Sequence, residues 1–430
     1  MSQAMSDIAV TELQQMAASW ESEYKQLISG NNVRLDLSRG KPAPEQLALS
    51  DSLDGILHGN FITPSGIDTR NYGNVLGIPE ARALGAELMG VPANEVVAGG
   101  NSSLSLMHFV LGTAMHQGFW GDQRRWRNDP RPKLLTPVPG YDRHFALSES
   151  FGLEMINIPM TPAGPDMQRA AELAANDPSI KGIWCVPKYS NPTGNTYSQD
   201  IVDAMAVLPQ QAASDDFVVL WDNAYAVHDL DEAGDILPCL REACLKVGTY
   251  DHVVQFASTS KITLASGGVG FIAVSENVLK VLEKHLSVFV IGPDKVNQLR
   301  HVKFLGGRLK EHMAAHAAIV RPKFERVLTK LRTELADLKV ANWTEPKGGY
   351  FISLDVQPGL AKKVITLAGA AGLTLTPAGA TFPYGKDPLD KNIRIAPTFA
   401  QEAELEQAMH ILTLCIKLVS AQATLGQQKV

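Results

Sequence analysis

One lysine stands in the stretch STSKITLASGGVGF, residues 258–271. Lys261 follows an apolar run, HVVQFAS, and is flanked by hydroxyl residues and then by glycines. A lysine leaving a buried strand among small neighbours loses hydration of its charged form. Its pKa falls and its amine becomes a nucleophile toward carbonyl carbon. The same position also fits a surface lysine at a strand end. Asp222 closes a second apolar run, FVVLWD, with a carboxylate that needs a cationic or hydrogen-bonding partner. A helix cap or a surface ion pair would serve it equally. GGNSSLS, residues 99–105, opens a helical pattern, where free N–H groups and the helix dipole can hold an anion; a plain capped turn fits too. Asn191 in NPTG, Tyr225 in DNAY and Tyr141 after Pro139 and Gly140 put further polar groups after apolar runs. Singly, each of these fits a turn or the core.

These residues are placed by an alternating pattern. EVVAGG, KLLTPVPG, KGIWCVP, FVVLWDNAY, HVVQFAST and GVGFIAVS read as strands, with helical stretches such as SQDIVDAMAVL between several of them. That alternation predicts a mostly parallel sheet with helices on both faces, whose ligand lies beyond the carboxyl ends of the strands. Residues 11–29 read as a helix and 31–66 as an extended arm. Asn101 and Ser102 are candidate caps for the helix that follows. Residues 307–338 form a long helical pattern that Pro322 is expected to kink. Beyond it, GYFISLDV and NIRIAP read as strands of a smaller α+β lobe completed by the N-terminal segment. The expected division is 1–60 for the arm and part of the small domain, 61–310 for the large domain and 311–430 for the small one.

Composition narrows the function class. The 430 residues are 45% hydrophobic, enough for a large core and two lobes. The 39 basic and 45 acidic residues leave a formal charge of -6 without long like-charge runs, which argues against a nucleic-acid or polybasic membrane surface. Four scattered cysteines, with no C-x-x-C pair, read as reduced, buried residues and not as a zinc site, so no metal is expected. A polar N-terminus and the lack of a long apolar stretch make a cytoplasmic protein the expectation.

A nucleophilic amine, a carboxylate that can face a pyridine nitrogen and an anion-binding helix start are what pyridoxal 5'-phosphate requires. At this point the ordered set SNPTGN, DNAY, STSK and NIRIAP resembles the class I aminotransferases of pyridoxal-phosphate fold type I. SRGKP at 38–42, YGNVLG at 72–77 and TPAGATFPYG at 376–385 resemble an aspartate aminotransferase subgroup close to the MocR-type regulators. The resemblance implies a seven-stranded, mostly parallel sheet sandwiched by helices, beside the smaller domain. It implies Lys261 as the catalytic residue in Schiff-base linkage to the cofactor, Asp222 on the ring nitrogen, Asn191 and Tyr225 on the phenolic oxygen, and Tyr141 stacked on the ring. Gly100, Asn101, Ser102, Ser258 and Ser260 would bind the phosphate. Tyr72 would reach the phosphate of a neighbouring subunit, which implies a homodimer. Arg394 would clamp the substrate carboxylate, with Asn191 beside it and Gly40 in a segment closing over substrate. A second cation for a distal carboxylate would be Arg39, Arg143, Lys295 or Arg300, with Arg39 favoured by its place next to Gly40.

One position departs from the family pattern. Val269 stands where most relatives carry a phosphate-binding arginine. The implied reaction is transamination between an amino acid and a 2-oxo acid, with aspartate and 2-oxoglutarate first. Other amino donors (aromatic or 2-aminoadipate), a lyase on the same scaffold, and a MocR-like effector-binding domain are the alternatives. About 30 residues ahead of the arm are too few for a winged helix.

Overall fold

The computed structural model describes residues 3–30 and 34–427, so 31–33, where the arm was expected to start, lie outside it. The strands, in chain order, are β1 (Leu35–Asp36), β2 (Val96–Ala98), β3 (Lys133–Val138), β4 (Glu154–Thr161) and β5 (Gly164–Pro165). Next come β6 (Ile180–Cys185), β7 (Val218–Asp222), β8 (Val253–Ser258) and β9 (Gly270–Ala273). The chain closes with β10 (Ala341–Trp343), β11 (Ile352–Val356), β12 (Leu373–Thr374) and β13 (Asn392–Ile395).

Eight strands form one sheet in the order β2-β9-β8-β7-β6-β3-β4-β5. β8, β7, β6, β3 and β4 are parallel neighbours, and β9 runs against both of its own. Seven strands match the expected sheet. The eighth is the two-residue β5, hairpinned onto β4 and too short to show a pattern in sequence. β6 and β7 are buried along their whole length, which is why they read as continuous apolar runs.

β11 sits between β10 and β13 in a three-stranded antiparallel sheet, and β1 pairs in parallel with β12. One core joins Leu13, Leu35 and Leu37 from the N-terminal segment to Phe324, Ile352, Ile393 and Leu412. Leu309–Leu335 runs through Pro322 as one helix, so the expected kink does not break it. The last helix, Glu402–Gln427, is long and apolar enough to cross a membrane, yet 72% of its apolar stretch is buried in this core. Its hydrophobicity is that of a core helix. Three of the four cysteines are buried as expected; Cys239 is partly exposed.

Helix starts carry the expected chemistry. Asp166, Ser198, Ser275 and Asp294 each accept from a backbone N–H in the first turn of the helix they open. Ser103–His116 differs. Ser102 stands at its cap position, but no side chain caps it. The expected cap by Asn101 or Ser102 is not made: Asn101 Nδ2 instead donates to the Ser266 carbonyl at 3.1 Å. First-turn N–H groups of this helix are left without a side-chain acceptor.

Candidate active site

Lys261 lies in the loop after β8, and Asp222 is the last residue of the neighbouring β7. Asp222 is 2% exposed. One carboxylate oxygen, Oδ2, accepts from His144 Nε2 at 3.0 Å; the other, Oδ1, is buried without a partner. A buried carboxylate half-satisfied in this way is costly, and a protonated ring nitrogen would supply the missing donor. Burial pulls the Lys261 ammonium pKa below its usual value, against an opposing pull from the Asp222 charge. Its Nζ lies 4.8 Å from the centre of the Tyr225 ring. Tyr225 is itself buried, and burial raises its phenol pKa well above the usual value.

The loop after β3 carries Tyr141 and opens the helix Asp142–Ser150. Three residues on from Tyr141, His144 falls within that helix's first turn and reaches Asp222. Its ring stacks on Trp184 of β6, centroids 4.1 Å apart and planes 10° from parallel. Tyr141 meets it edge-on at 4.9 Å. Trp184 Nε1 donates to Ser148 Oγ at 3.0 Å, and that hydroxyl donates to the His144 carbonyl. Asp222 is thus held from behind by a packed aromatic pair. His144 is not named among the sequence-based candidates; its spacing from Tyr141 is the available signal.

Arg394 on β13 lies across from this cluster and is 5% exposed. Its Nη1 donates to Asn191 Oδ1 at 3.2 Å and to Asp142 Oδ1 at 3.0 Å, and its Nε to Thr376 Oγ1 at 3.2 Å. Its guanidinium carbon is 4.8 Å from the centre of the Phe351 ring. Gly40 lies on the same ring: a Cβ there would clash with Phe351 Cζ. Asp142, Thr376 and Phe351 act through contacts between distant segments, and residue spacing gave no sign of them.

Gly100, Asn101 and Ser102 lie at the uncapped helix start beside Ser258 and Ser260. Ser260 Oγ donates to the Asn101 carbonyl at 2.9 Å and lies 2.7 Å from Ser258 Oγ. The glycines after Lys261 serve chain packing. A Cβ on Gly268 would sit 2.7 Å from Ser260 Oγ, and one on Gly270 would sit 2.8 Å from the Ser102 carbonyl. Val269 is 1% exposed, with its side chain in the core under β2 and β9.

Other predicted residues are exposed. Tyr72 is 78% exposed, and Arg39 is exposed like Arg143 and Arg300. Lys295 is buried and engaged: its ammonium donates to the Tyr72 and Gly73 carbonyls at 3.0 and 3.1 Å, fixing the loop that presents Tyr72.

Behind Lys261 lies a group of buried histidines. Burial and a neighbouring imidazole hold His228 at about 3 and His316 at about 4. The unfolded chain protonates these rings near 6.5 and the fold resists until far lower pH. Stability therefore falls as pH drops from about 6.5 toward about 4. Melting temperature followed against pH should show this slope, flattened in His316→Gln.

Sequence and structure comparisons agree with one another. The family profile for aspartate amino-transferase matches residues 8–428. A putative aminotransferase of Mycolicibacterium smegmatis is 46% identical over 407 residues, covering 93% of this chain and 94% of its own. The aspartate aminotransferase of Corynebacterium glutamicum is 44% identical over 401 residues, 92% and 91% of the two chains. A crystal structure of an aspartate transaminase from that organism superposes with a TM-score of 0.95 at 40% identity, covering 99% of this chain and 100% of the other.

Proposed function

The chain belongs to the aspartate aminotransferase family, and from that premise we propose that its physiological reaction is amino transfer from L-aspartate to 2-oxoglutarate at the site around Lys261. It is a pyridoxal-phosphate-dependent aminotransferase of fold type I acting on amino acids and 2-oxo acids. The observation that carries the site assignment is the convergence of a half-buried lysine, its charge disfavoured by desolvation, with a buried aspartate whose second oxygen lacks a partner.

When bound, the cofactor supplies an electrophilic aldehyde and a protonated ring that accepts the electron pair left by the departing α-proton. Asp222 would keep that ring nitrogen protonated, with His144 on Trp184 orienting Asp222. Asn191 and Tyr225 would hydrogen-bond the phenolic oxygen, and Tyr141 would stack on the ring. The uncapped helix start at Gly100–Ser102, with Ser258 and Ser260, would hold the phosphate by backbone N–H groups and hydroxyls in place of the arginine that Val269 replaces. Lys261 Nζ, low in pKa through burial, would hold the cofactor as its covalent anchor. Once the substrate amine displaces it, the freed amine would take the substrate α-proton as base and return it as acid. Arg394 binds the α-carboxylate with its planar fork. Arg39, beside Gly40 in the covering arm, binds the distal carboxylate. We place the domain borders at 60 and 310 and the enzyme in the cytoplasm.

Steady-state assays across amino donors test the substrate choice. Aspartate should be preferred with 2-oxoglutarate as acceptor; no activity with aspartate or glutamate would remove it.

Asp142 occupies Arg394 where a substrate carboxylate must bind, and it is only partly buried. Asp142→Asn removes a competing charge of modest strength. KM for the amino acid should fall about two- to fivefold with kcat nearly unchanged. A rise in KM would show that Asp142 serves to align the arginine.

Tyr72, Val288, Phe289 and Ile291 form an exposed apolar face, and the Gly73 N–H donates to the Ile291 carbonyl within it. An exposed apolar patch of this kind supports a homodimer in which Tyr72 reaches the neighbouring site. Sedimentation should give the dimer mass, and Phe289→Asp should yield monomers that hold the cofactor poorly. A fully active monomer would contradict the shared site.

A further inference from the structure

The main-chain carbonyl of Lys261 accepts two side-chain hydrogen bonds, from Tyr350 Oη at 3.2 Å and from His228 Nε2 at 3.3 Å. One residue on, the Ile262 carbonyl accepts from His312 Nε2 at 2.7 Å. Tyr350 leads into β11 of the small domain, so the lysine's backbone is held from the other lobe. The tyrosine's one proton goes to the carbonyl, which leaves its oxygen to accept from Gln46 Nε2 at 3.1 Å. Gln46 Oε1 in turn accepts from the Ala43 N–H at 2.9 Å, which fixes the direction of the amide. Its second amide proton points to His316 Nδ1 at 3.3 Å.

Gln46 is 0% exposed and lies in the short helix Pro44–Ala48 of the arm. Its neighbour Glu45 pairs with the buried Lys323 at 2.7 Å. Four residues before that helix, Gly40 rests on Phe351 beneath Arg394. A single directional chain thus runs from the segment covering Arg394 to the backbone of Lys261. The histidines extend it. His228 donates through Nε2, so its Nδ1 accepts; His316 accepts through Nδ1, so its Nε2 donates. Both remaining nitrogens are buried without a protein partner, in residues that line one small cavity with Gln46 and Tyr350. One donor and one acceptor on residues that line a shared cavity match a single bridging water.

We propose that Gln46, Tyr350 and His228 are positioning residues that tie the seating of the N-terminal arm to the orientation of Lys261. Covering the substrate carboxylate and aligning the amine then become one event. The inference rests on the reading of Lys261 as the reactive amine. Hydrogen bonds in a low-dielectric interior hold direction well, and a misplacement of about 1 Å at a reacting group costs rate steeply.

Tyr350→Phe removes one oxygen and keeps the ring packed on Tyr225. Gln46→Leu removes the donor before it, with Gln46→Glu, which keeps the acceptor for Ala43, in reserve if the leucine variant fails to fold. In the cofactor-loaded enzyme each single variant should lose about tenfold in kcat, with KM for aspartate unchanged in Tyr350→Phe. The double variant should lose no more than the worse single, because both act on one chain. The visible circular dichroism per bound cofactor, which reads the orientation of the lysine-linked ring without turnover, should change alike in all three. Wild-type kcat and dichroism in Tyr350→Phe, or losses that multiply in the double variant, would overturn the coupling. Activity surviving in Lys261→Ala would instead overturn the reading of the lysine, so the two failures are distinct.

Discussion

Lys261→Ala loses transamination between L-aspartate and 2-oxoglutarate by at least about 10⁴-fold, because one side chain serves as both nucleophile and proton carrier. Its charged form is disfavoured by burial, so the amine is free to attack at a pH where an exposed lysine stays protonated. The variant should fold at least as well as the parent, since a buried amine opposed by desolvation contributes little to stability. Added small primary amines should restore part of the proton-transfer rate, and an added non-basic alcohol should not. Stopped-flow absorbance on the loaded variant, with and without the amine, reads this directly. A variant with activity within about tenfold of wild type would remove the lysine from the chemistry.

Asp222→Asn is the second large effect. The substitution keeps size and the hydrogen bond from His144 but deletes the charge. Removing one partner of a buried charge pair costs about 3–5 kcal/mol. If that loss falls on the transition state, kcat drops about 10²–10⁴-fold. The cofactor should also bind more weakly, because the ring nitrogen loses its anionic partner. In the protein without cofactor the same change should lower the Lys261 pKa further, since the Asp222 charge supports the protonated amine. The pH dependence of lysine labelling at residue 261 measures that shift. A labelling midpoint that stays put, together with near-normal kcat, would place Asp222 outside the field of the amine.

Much of the fold and site was legible where the physics is local. β6, β7 and β8 read as apolar runs because both faces of the sheet are covered, and Asp222, Tyr225 and Lys261 stood out as the polar residues after such runs. Asn191 and Arg394 needed the family pattern, because an asparagine in a turn and an arginine in a strand have ordinary explanations. His144 lay one helical turn from a named residue. Asp142, Thr376, Phe351, Gln46 and Tyr350 were not legible, because each works through contacts between separate segments: Asp142 meets Arg394 across 252 residues of sequence, and Gln46 meets Tyr350 across 304. Thr376, for example, also donates to the Ser38 carbonyl across 338 residues of sequence. The glycines after Lys261 let chain segments meet at Ser260 and Ser102. Pro322 removes one helical hydrogen bond, but packing of Val320, Phe324 and Val327 in the small-domain core holds the helix through it.

The most direct measurement is chemical trapping of the attachment point. The cofactor-loaded enzyme is reduced with borohydride, digested and mapped by mass spectrometry. The prediction is a single pyridoxyl phosphate label on Lys261, lost when L-aspartate is added before the reductant. A label on another lysine, or none on this peptide, would contradict the assignment.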